Sequence, residues 1–352
     1  MSATFGERLR VTVFGQSHSE AMGAVVDGLP AGLRIDTEHL RAFLARRAPG
    51  QGPLTTARRE PDAPEIIAGL ADGVTCGAPL CILIRNTDAR SRDYETLRRV
   101  VRPSHADYPA YVRFGGHNDI RGGGQFSGRL TAPLCAAGAV ALQCLAARGV
   151  GVYAHIASIA GIKDAAVDPV SPDLPALAAL AAKPLPVLDA RAGEAMAQAV
   201  RDAAADGDSV GGVVECVVTG LPAGVGEPLY DSVESRLAAL LFAVPAVKGV
   251  EFGAGFAAAA LRGSENNDSY TASGGEVRTL SNHSGGICGG LTTGMPVVFR
   301  AAFKPTPSIA RPQRTVALPG PEETTLTVGG RHDPCRPARR ARGGGGGGAD
   351  DV

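Results

Sequence analysis

Four short stretches of the sequence place ionisable side chains beside glycine, proline or serine. They are GQSH at 15–18, RPSHADY at 102–108, RGGG at 121–124 and GRHDPC at 330–335. Histidine exchanges protons near neutral pH, arginine binds phosphate and carboxylate groups, and glycine lets the backbone approach a ligand closely. Together with a fifth stretch, KPT at 304–306, these motifs predict one site for a large anionic ligand, assembled from distant segments.

Each motif also has a purely structural interpretation, which the residues alone leave open. His18 follows a predicted strand and could be an acid or base, or a histidine bonded only to backbone. The RPSHADY stretch could hold a second proton-transferring histidine, His105, or form a turn whose polar groups satisfy one another. Pro103 excludes regular helix there. His117 and His283 lie in glycine-rich loops, and no carboxylate spacing favours either of them.

Arginine supplies nearly all of the positive charge. Only four of the 35 basic residues are lysine, at positions 163, 183, 248 and 304. A GC-rich genome explains most of this bias, whereas the arginines inside the motifs suit bidentate recognition of phosphate and carboxylate. Arg58 and Arg59 fit a solvated surface as well as a ligand. Arg121 and its glycines, with Ser127 and Arg129, open a predicted buried helix whose first N–H groups suit a phosphate.

The bulk composition excludes several classes of protein. With 352 residues, 44% hydrophobic and 20% charged, the chain is typical of a soluble globular protein, and its net charge of zero gives no field to attract nucleic acid. The seven cysteines lack metal-binding spacing, so we expect reduced thiols and no metal. No signal segment and no uninterrupted apolar run of about 18 residues is present, which predicts a cytoplasmic protein without a membrane partner.

The elements that must position these residues follow from periodicity and from helix caps. Asp36 or Thr37 is expected to begin a helix that Pro49 and Gly50 end. Further helices are predicted over 130–148, 194–205 and 231–242, and 164–190 should be irregular around a short helix. Strands are predicted over 8–14, 24–27, 66–70, 80–84, 213–218, 249–262 and 294–303. This order predicts an α+β fold with mostly antiparallel strands, and Gly122–Gly124 lack the spacing of a dinucleotide fingerprint.

Taken together, the motifs closely resemble the chorismate synthase family from about Phe5 to Cys335. The matching stretches are FGQSH, VDGLPAG, RRAPGQG, TTARREPD, NTDARSRDY, RPSHADY, DIRGGG, FSGRLTAP, PAVKGVEFGAGF, RGSENND, SNHSGGICGG, FKPTPSI and GRHDPC. The resemblance implies one catalytic domain over 1–335, a β-α-β sandwich with helices packed between antiparallel sheets. It also implies conversion of 5-enolpyruvylshikimate-3-phosphate to chorismate and phosphate with reduced FMN and no net redox change.

The resemblance assigns roles to residues by their place in these motifs. His18 would protonate the departing phosphate, His105 would protonate the reduced flavin anion, and Asp333 would assist proton removal at the flavin. Substrate contacts are expected at Arg46, Arg47, Arg121 and Arg129, and Arg47 also matches a pyridine-nucleotide arginine. Flavin contacts are expected at Gln125, Phe126, Ser127, Gly289, Lys304, Pro305, Thr306, Pro307, Ser308 and Arg331. A homotetramer is implied, and an external flavin reductase must supply the electrons, with NADPH only an indirect source.

The chain departs from the family pattern at a few positions. A family arginine after the PG turn falls on Pro53, the usual glycine before the second histidine is Ser104, and Gln125 and Phe126 replace an arginine and a serine of some relatives. After Cys335, where the family continues with an apolar helix, the chain has four arginines, one proline and six consecutive glycines.

We expect this tail, 336–352, to be disordered. Its codon pattern, read one nucleotide later, permits the family's helix, so a frameshift just after Cys335 is one hypothesis and an authentic tail the other. If the helix is lost, the alternative function is a non-catalytic remnant that binds flavin or phosphate. A generic flavin oxidoreductase is a third candidate.

Overall fold

The computed structural model describes residues 3–50, 60–88, 96–328 and 335. Several sequence predictions lie outside these described residues: those on Pro53, Arg58, Arg59, Arg331, Asp333 and the tail 336–352.

Within the described residues, strands and short helices alternate along the chain. The α-helices are α1 Thr37–Arg47, α2 Asp107–Phe114, α3 Thr131–Ala146, α4 Leu174–Ala179, α5 Ala190–Ala205, α6 Val233–Ala243 and α7 Gly263–Asn266. The first strands are β1 Thr4–Phe5, β2 Arg10–Gly15, β3 Ala21–Asp27, β4 Pro64–Ala68, β5 Leu70–Ala71, β6 Val74–Thr75, β7 Leu80–Arg85, β8 Gly151–Ile159 and β9 Ile162–Lys163. The later strands are β10 Gly212–Thr219, β11 Val247–Phe252, β12 Tyr270–Ser273, β13 Glu276–Thr279, β14 Ile287–Cys288, β15 Leu291–Thr292, β16 Val297–Phe303, β17 Gln313–Ala317 and β18 Glu322–Leu326.

The chain divides into two compact units. The first unit is drawn from Met1–Ala141, Val200–Val210 and Pro305–Cys335, and the second from Leu142–Ala199 and Gly211–Lys304. The expectation of one catalytic domain over 1–335 stays a prediction.

An antiparallel five-stranded sheet, in the order β1-β2-β3-β7-β4, forms the framework of the first unit. In β7 every second side chain, Leu80, Ile82 and Ile84, is fully buried, as expected for a strand with one face on a core. The first helix begins where the sequence predicted, because a side-chain oxygen of Asp36 accepts hydrogen bonds from the first turn.

A second antiparallel five-stranded sheet, in the order β11-β16-β10-β8-β9, forms the framework of the second unit. Buried Val247, Ala301 and Phe303 make one apolar cluster on it, and Leu241 near the end of α6 packs against them. The mixed α+β class with antiparallel sheets is therefore confirmed.

One helix of the described part, Gly128–Ala146, has the length and composition of a membrane span, with a mean hydropathy of 1.4. Half of it is buried inside the protein, and Ala132, Ala136 and Val140 are fully inaccessible to solvent. A helix at the core of a soluble protein has the same composition, so this helix carries little information about a membrane.

The structure corrects two of the sequence predictions. The strand predicted over 249–262 is wrong beyond Phe252, because Gly253 and Gly255 take φ of +54° and the chain turns into a 3₁₀ helix, Gly255–Ala260. The helix α2 was missed, because Pro103 excludes regular helix only around itself, and the helix begins four residues later at Asp107.

Candidate active site

His18 lies in the tight turn between β2 and β3. Strand β2 ends at Gly15 and β3 begins at Ala21, which leaves residues 16–20 to reverse the chain. Ser17 is 1% exposed, and its backbone N–H donates to the carbonyl of Gly124 at 3.2 Å. The half-buried His18 is thereby held against the RGGG segment.

Asn86 fixes this turn from the neighbouring strand. Strand β7 ends at Arg85, directly opposite Ala21, so Asn86 emerges beside the turn. Its Nδ2 donates to the carbonyls of Gln16 at 3.1 Å and Ser19 at 2.8 Å, on either side of His18. No local sequence pattern indicates this role, because it depends on which strands are neighbours.

The glycine loop Gly122–Gly124 brings His18 and His105 to consecutive residues. All three glycines take positive φ, at 59°, 84° and 53°. A Cβ on Gly122 would lie 2.6 Å from Ser17 Oγ and closer still to the imidazole of His18. A Cβ on Gly123 would lie 3.2 Å from Nε2 of His105. Glycine at both positions therefore leaves room for the two rings and accommodates the positive φ.

His105 stands at the start of α2 and contacts two charged side chains. Its Nδ1 lies 2.6 Å from Oδ1 of Asp107 and 3.2 Å from Nη2 of Arg102. Arg102 in turn donates from Nε to Oδ2 of Asp107 at 2.7 Å and from Nη2 to Oδ1 at 2.8 Å. The side chains of Arg102, His105 and Asp107 are only 3%, 10% and 6% exposed, so this triad is an enclosed cluster of charge.

Asp107 stays ionised in this cluster. Burial on its own would raise the pKa of the Asp107 carboxyl, but hydrogen bonds from Arg102 and His105 and their positive charge outweigh burial. The net effect holds the pKa of Asp107 far below its ordinary value. The structural interpretation of RPSHADY as mutually satisfied polar groups is therefore compatible with a working His105, because these contacts are made at Nδ1.

Arg121 forms a bidentate pair with Asp119 beside the glycine loop. Its Nε and Nη2 donate to the carboxylate at 2.9 and 2.8 Å. The hydrogen bond to Asp119 raises the pKa of Arg121, and the same bond, aided by the charge of His18, lowers the pKa of Asp119. The Arg121 side chain remains 42% exposed, so part of the guanidinium faces solvent.

Arg47 and Arg129, both expected at the substrate, are buried against carboxylates. Each forms an ion pair with Asp62, and Arg129 also lies 3.9 Å from Glu60. Nε of Arg129 donates to Asn86 at 3.2 Å, which links this buried cluster to the His18 turn. In the described structure these two arginines bind Asp62, and Arg129 also binds the asparagine that holds the His18 turn. Their contact with a ligand stays a prediction.

Arg46, the remaining substrate arginine, stacks on an aromatic ring. Its guanidinium carbon lies 5.3 Å from the centre of the Phe43 ring. Burial lowers the pKa of Arg46 from its ordinary value.

A cavity of about 260 Å³ opens beside the glycine loop. It is lined by Gln16, Phe114, His117, Asn118, Asp119, Gln125 and Phe126. Two expected flavin residues, Gln125 and Phe126, are among them, and the Phe126 side chain, 6.5 Å from Phe114 between ring centres, is 38% exposed. Ser127 instead caps the next turn, since its hydroxyl accepts from the Arg129 N–H at 3.3 Å.

The KPTPS segment contributes to both units. In the first unit Thr306 and Ser308 are buried at 4% and 7% exposure, and Nη1 of Arg102 donates to Ser308 Oγ at 3.3 Å. Pro305 and Pro307 flank Thr306 there. Lys304, which follows β16, and Gly289, an exposed residue with φ of +60°, belong to the second unit.

The second unit holds a row of charged side chains that the sequence did not reveal. Strand register places Glu251 opposite Arg300, Arg300 opposite Glu215, and Glu215 opposite His155. With Asp164 these residues form the charged row, in which His155 Nε2 lies 3.0 Å from Glu215 and Nδ1 lies 3.1 Å from Asp164.

Among the described residues no group of three or more His, Cys, Asp or Glu is arranged to hold a metal ion.

The fold and the site define a class of protein. Two imidazoles contact one glycine loop, and buried arginines lie nearby in an α+β framework. This arrangement is typical of an enzyme that transfers protons to or from an anionic substrate. Comparison with known proteins agrees with this class. The chorismate synthase family model matches residues 9–342, which extends past Cys335.

Individual relatives cover nearly the whole chain. Chorismate synthases of Aeropyrum pernix and Methanocella arvoryzae are 48% and 47% identical, over 94% of this chain and 86% and 88% of theirs. A crystal structure of chorismate synthase aligns with a TM-score of 0.72 at 28% identity, over 86% of this chain and 85% of the other. The chain belongs to the chorismate synthase family and is a phosphate-eliminating lyase.

Proposed function

We propose that this protein eliminates phosphate from 5-enolpyruvylshikimate-3-phosphate in the anti-1,4 sense, giving chorismate with reduced FMN and no net redox change. Family membership supports the reaction, and the observation that carries the proposal is the contact of His18 and His105 with consecutive glycines. Two histidines that approach consecutive residues of one loop can serve one substrate and one cofactor bound beside that loop.

The chain's own residues account for the polar part of this chemistry. The departing phosphate needs a proton and a cation, and His18 packs against Gly122, the residue that follows the half-exposed Arg121. His105, whose Nε2 faces Gly123, is proposed to protonate the reduced flavin. Asp333, expected to assist proton removal, lies outside the described residues. Substrate binding by Arg46, Arg47, Arg121 and Arg129 is part of the proposal.

The described residues fit reduced FMN. Phe126 presents a partly exposed ring to the cavity, which suits stacking on a flat ring system, and Gln125 offers an amide beside it. When bound, FMN supplies an electron transiently and takes it back, while the protein orients the substrate and excludes water. Further flavin contacts are proposed at Ser127, Gly289, Lys304, Pro305, Thr306, Pro307, Ser308 and Arg331.

The remaining expectations follow the family. We propose a cytoplasmic homotetramer with no nucleic-acid or membrane partner, reduced by an external flavin reductase, with NADPH only as the indirect electron source. The naming of the matched relatives as chorismate synthases favours a working enzyme over a non-catalytic remnant.

An anaerobic assay with chemically reduced FMN and the phosphorylated substrate tests this proposal. Chorismate formation is followed directly, in the full chain and in a variant whose residues after Cys335 are replaced by the family's apolar helix. Turnover in either protein supports the enzyme. Flavin binding without chorismate in both would support the remnant, and NADPH consumption coupled to substrate reduction would support an oxidoreductase. A gain of activity only on replacing the tail would locate a defect there.

A further inference from the structure

We propose that Asp107 is a positioning residue that keeps a proton on Nδ1 of His105 and so directs Nε2 toward the glycine loop, with Arg102 holding the carboxylate in place. The inference deepens the proposed function and rests on it only for the role of His105. The geometry of the triad is independent of any substrate.

Two neighbours compete for Nδ1 of His105, and only one of them can be its hydrogen-bond partner. Asp107 Oδ1, at 2.6 Å, accepts a hydrogen bond and requires a proton on Nδ1. Arg102 Nη2, at 3.2 Å, donates and would require a bare Nδ1. A bare nitrogen 2.6 Å from a carboxylate oxygen would bring two lone pairs together, so the shorter contact decides the tautomer.

Arg102 has other partners for its N–H groups. Its Nη2 already donates to Asp107 Oδ1 at 2.8 Å, its Nε to Oδ2 at 2.7 Å, and its backbone N–H to Oδ2 at 3.0 Å. The carboxylate is therefore held by three donors before His105 is considered. Its position as the first residue of α2 adds a favourable interaction with the helix dipole.

The consequence for His105 lies at its other ring nitrogen. With the proton fixed on Nδ1, Nε2 faces Gly123 and is the atom that gains or loses the exchangeable proton. If Asp107 were absent, both tautomers would be accessible, and in one of them the ring would present an N–H to the loop even when neutral. The Asp107 carboxylate thus determines which ring nitrogen of His105 exchanges its proton.

The tautomer can be measured in the unaltered protein. The full chain is labelled with ¹⁵N only in its seven histidines, and the His105 signals are assigned by their loss in His105→Gln. Long-range ¹H–¹⁵N spectra of neutral imidazoles distinguish a protonated Nδ1 from a protonated Nε2. We expect Nδ1 of His105 to carry the proton, and a bare Nδ1 would overturn the proposal. This measurement needs no turnover, so it is independent of the proposed function.

A matched pair of variants tests the catalytic consequence. Asp107→Asn keeps the shape of the side chain but presents an amide that can also donate to Nδ1, so we expect a mixed or reversed tautomer and about a 10- to 100-fold lower kcat. Asp164→Asn makes the same change beside His155 in the second unit and should leave both the His105 signals and kcat unchanged. The positioning role requires that Asp107→Asn change the His105 tautomer and lower kcat together.

The outcomes separate the two proposals. An Asp107→Asn protein that keeps the wild-type tautomer, or keeps full turnover with an altered tautomer, would refute the positioning role and leave the enzyme intact. A wild-type protein with the expected tautomer but no chorismate formation would refute the proposed function alone. Should Asp107→Asn fail to fold, the spectrum of the unaltered protein still decides the tautomer.

Discussion

Two largely enclosed histidines, one in each unit, illustrate opposite uses of the same side chain. His105 in the first unit and His155 in the second both place Nδ1 against an aspartate, at 2.6 and 3.1 Å. They differ at Nε2: that of His155 meets Glu215 at 3.0 Å, whereas that of His105 faces the small glycine Gly123. One ring keeps a nitrogen directed at the site, and the other has a carboxylate at each nitrogen.

The pKa of His155 reflects this difference. Burial acts to lower the pKa, but hydrogen bonds to Asp164 and Glu215 raise it to about 9. At neutral pH this ring is an imidazolium that donates from both nitrogens, which makes it a fixed cation within the sheet. A buried histidine is thus a candidate for proton transfer only if one nitrogen is directed at the ligand.

Exchanging each histidine for glutamine should separate the two uses most strongly. We expect His105→Gln to lower kcat by about 10²–10⁴-fold with little change in stability, since a general acid–base group is lost. His155→Gln should destabilise the protein by about 3–5 kcal/mol, because two buried carboxylates lose their cation. Anaerobic turnover and urea unfolding of both variants measure these effects. If His155→Gln instead lowered kcat while the protein stayed folded, and His105→Gln left kcat unchanged, the comparison would be wrong.

The glycine loop offers a second way to test the catalytic half of the comparison. In Gly122→Ala the new methyl group must displace His18, and we expect about a 100-fold fall in kcat from misplacement of a reacting group. The matched control is Gly161→Ala, which also has positive φ, at 82°, but no atom within 4 Å of the new Cβ. Both variants carry the backbone strain of a left-handed residue, about 1–2 kcal/mol.

The comparison predicts that only Gly122→Ala loses turnover. Equal losses in the two variants would mean that backbone strain, and not the position of His18, limits the reaction.

Alkaline pH should affect the structural histidine. Because the pKa of His155 is raised above its ordinary 6.5, its contribution to stability is complete below pH 6.5 and is lost as the pH rises through about 9. The loss should be roughly 3 kcal/mol at most. Urea unfolding between pH 6 and 10 measures it, and His155→Gln should flatten the decline in this window. An equally steep decline in that variant would assign it to other groups.

The smallest expected effects come from two left-handed residues, one near each histidine. Ser104 precedes His105 with φ of +55°, and Ala160 follows β8, which carries His155, with φ of +52°. Replacing either with glycine removes steric strain of about 1–2 kcal/mol but adds freedom to the unfolded chain, for a net gain of about 0.5–1 kcal/mol. Equilibrium unfolding of Ser104→Gly and Ala160→Gly measures this gain. A loss of stability in both would show that their side-chain contacts outweigh the strain.

Much of the site follows from the sequence where the information is local. The cap at Asp36 and the glycines at the tight approaches derive from residue types within a few positions, whereas the contact of both His18 and His105 with the glycine loop joins segments far apart in the chain. The positive φ of Ser104 also agrees with the glycine that the resemblance led us to expect at this position. The family resemblance, confirmed by comparison, rests on the same short motifs.

Other features depend on long-range pairing, which no local pattern encodes. Asn86 reaches the His18 turn only because β7 lies beside β3, and Arg47 and Arg129 are buried only because Asp62 folds against them. The interaction of Asp107 with His105 was visible as a possibility, but Pro103 hid the helix that aligns them.

The charged row has a further consequence for how the second sheet assembles. Its members lie opposite one another on β11, β16, β10 and β8, so pairing displaced by a single residue would turn Arg300 or His155 to the opposite face, which carries the apolar cluster of Val247, Ala301 and Phe303. Each such misalignment would bury a charged side chain among apolar side chains, which is energetically costly. The charged row therefore favours the observed strand register over one displaced by a single residue.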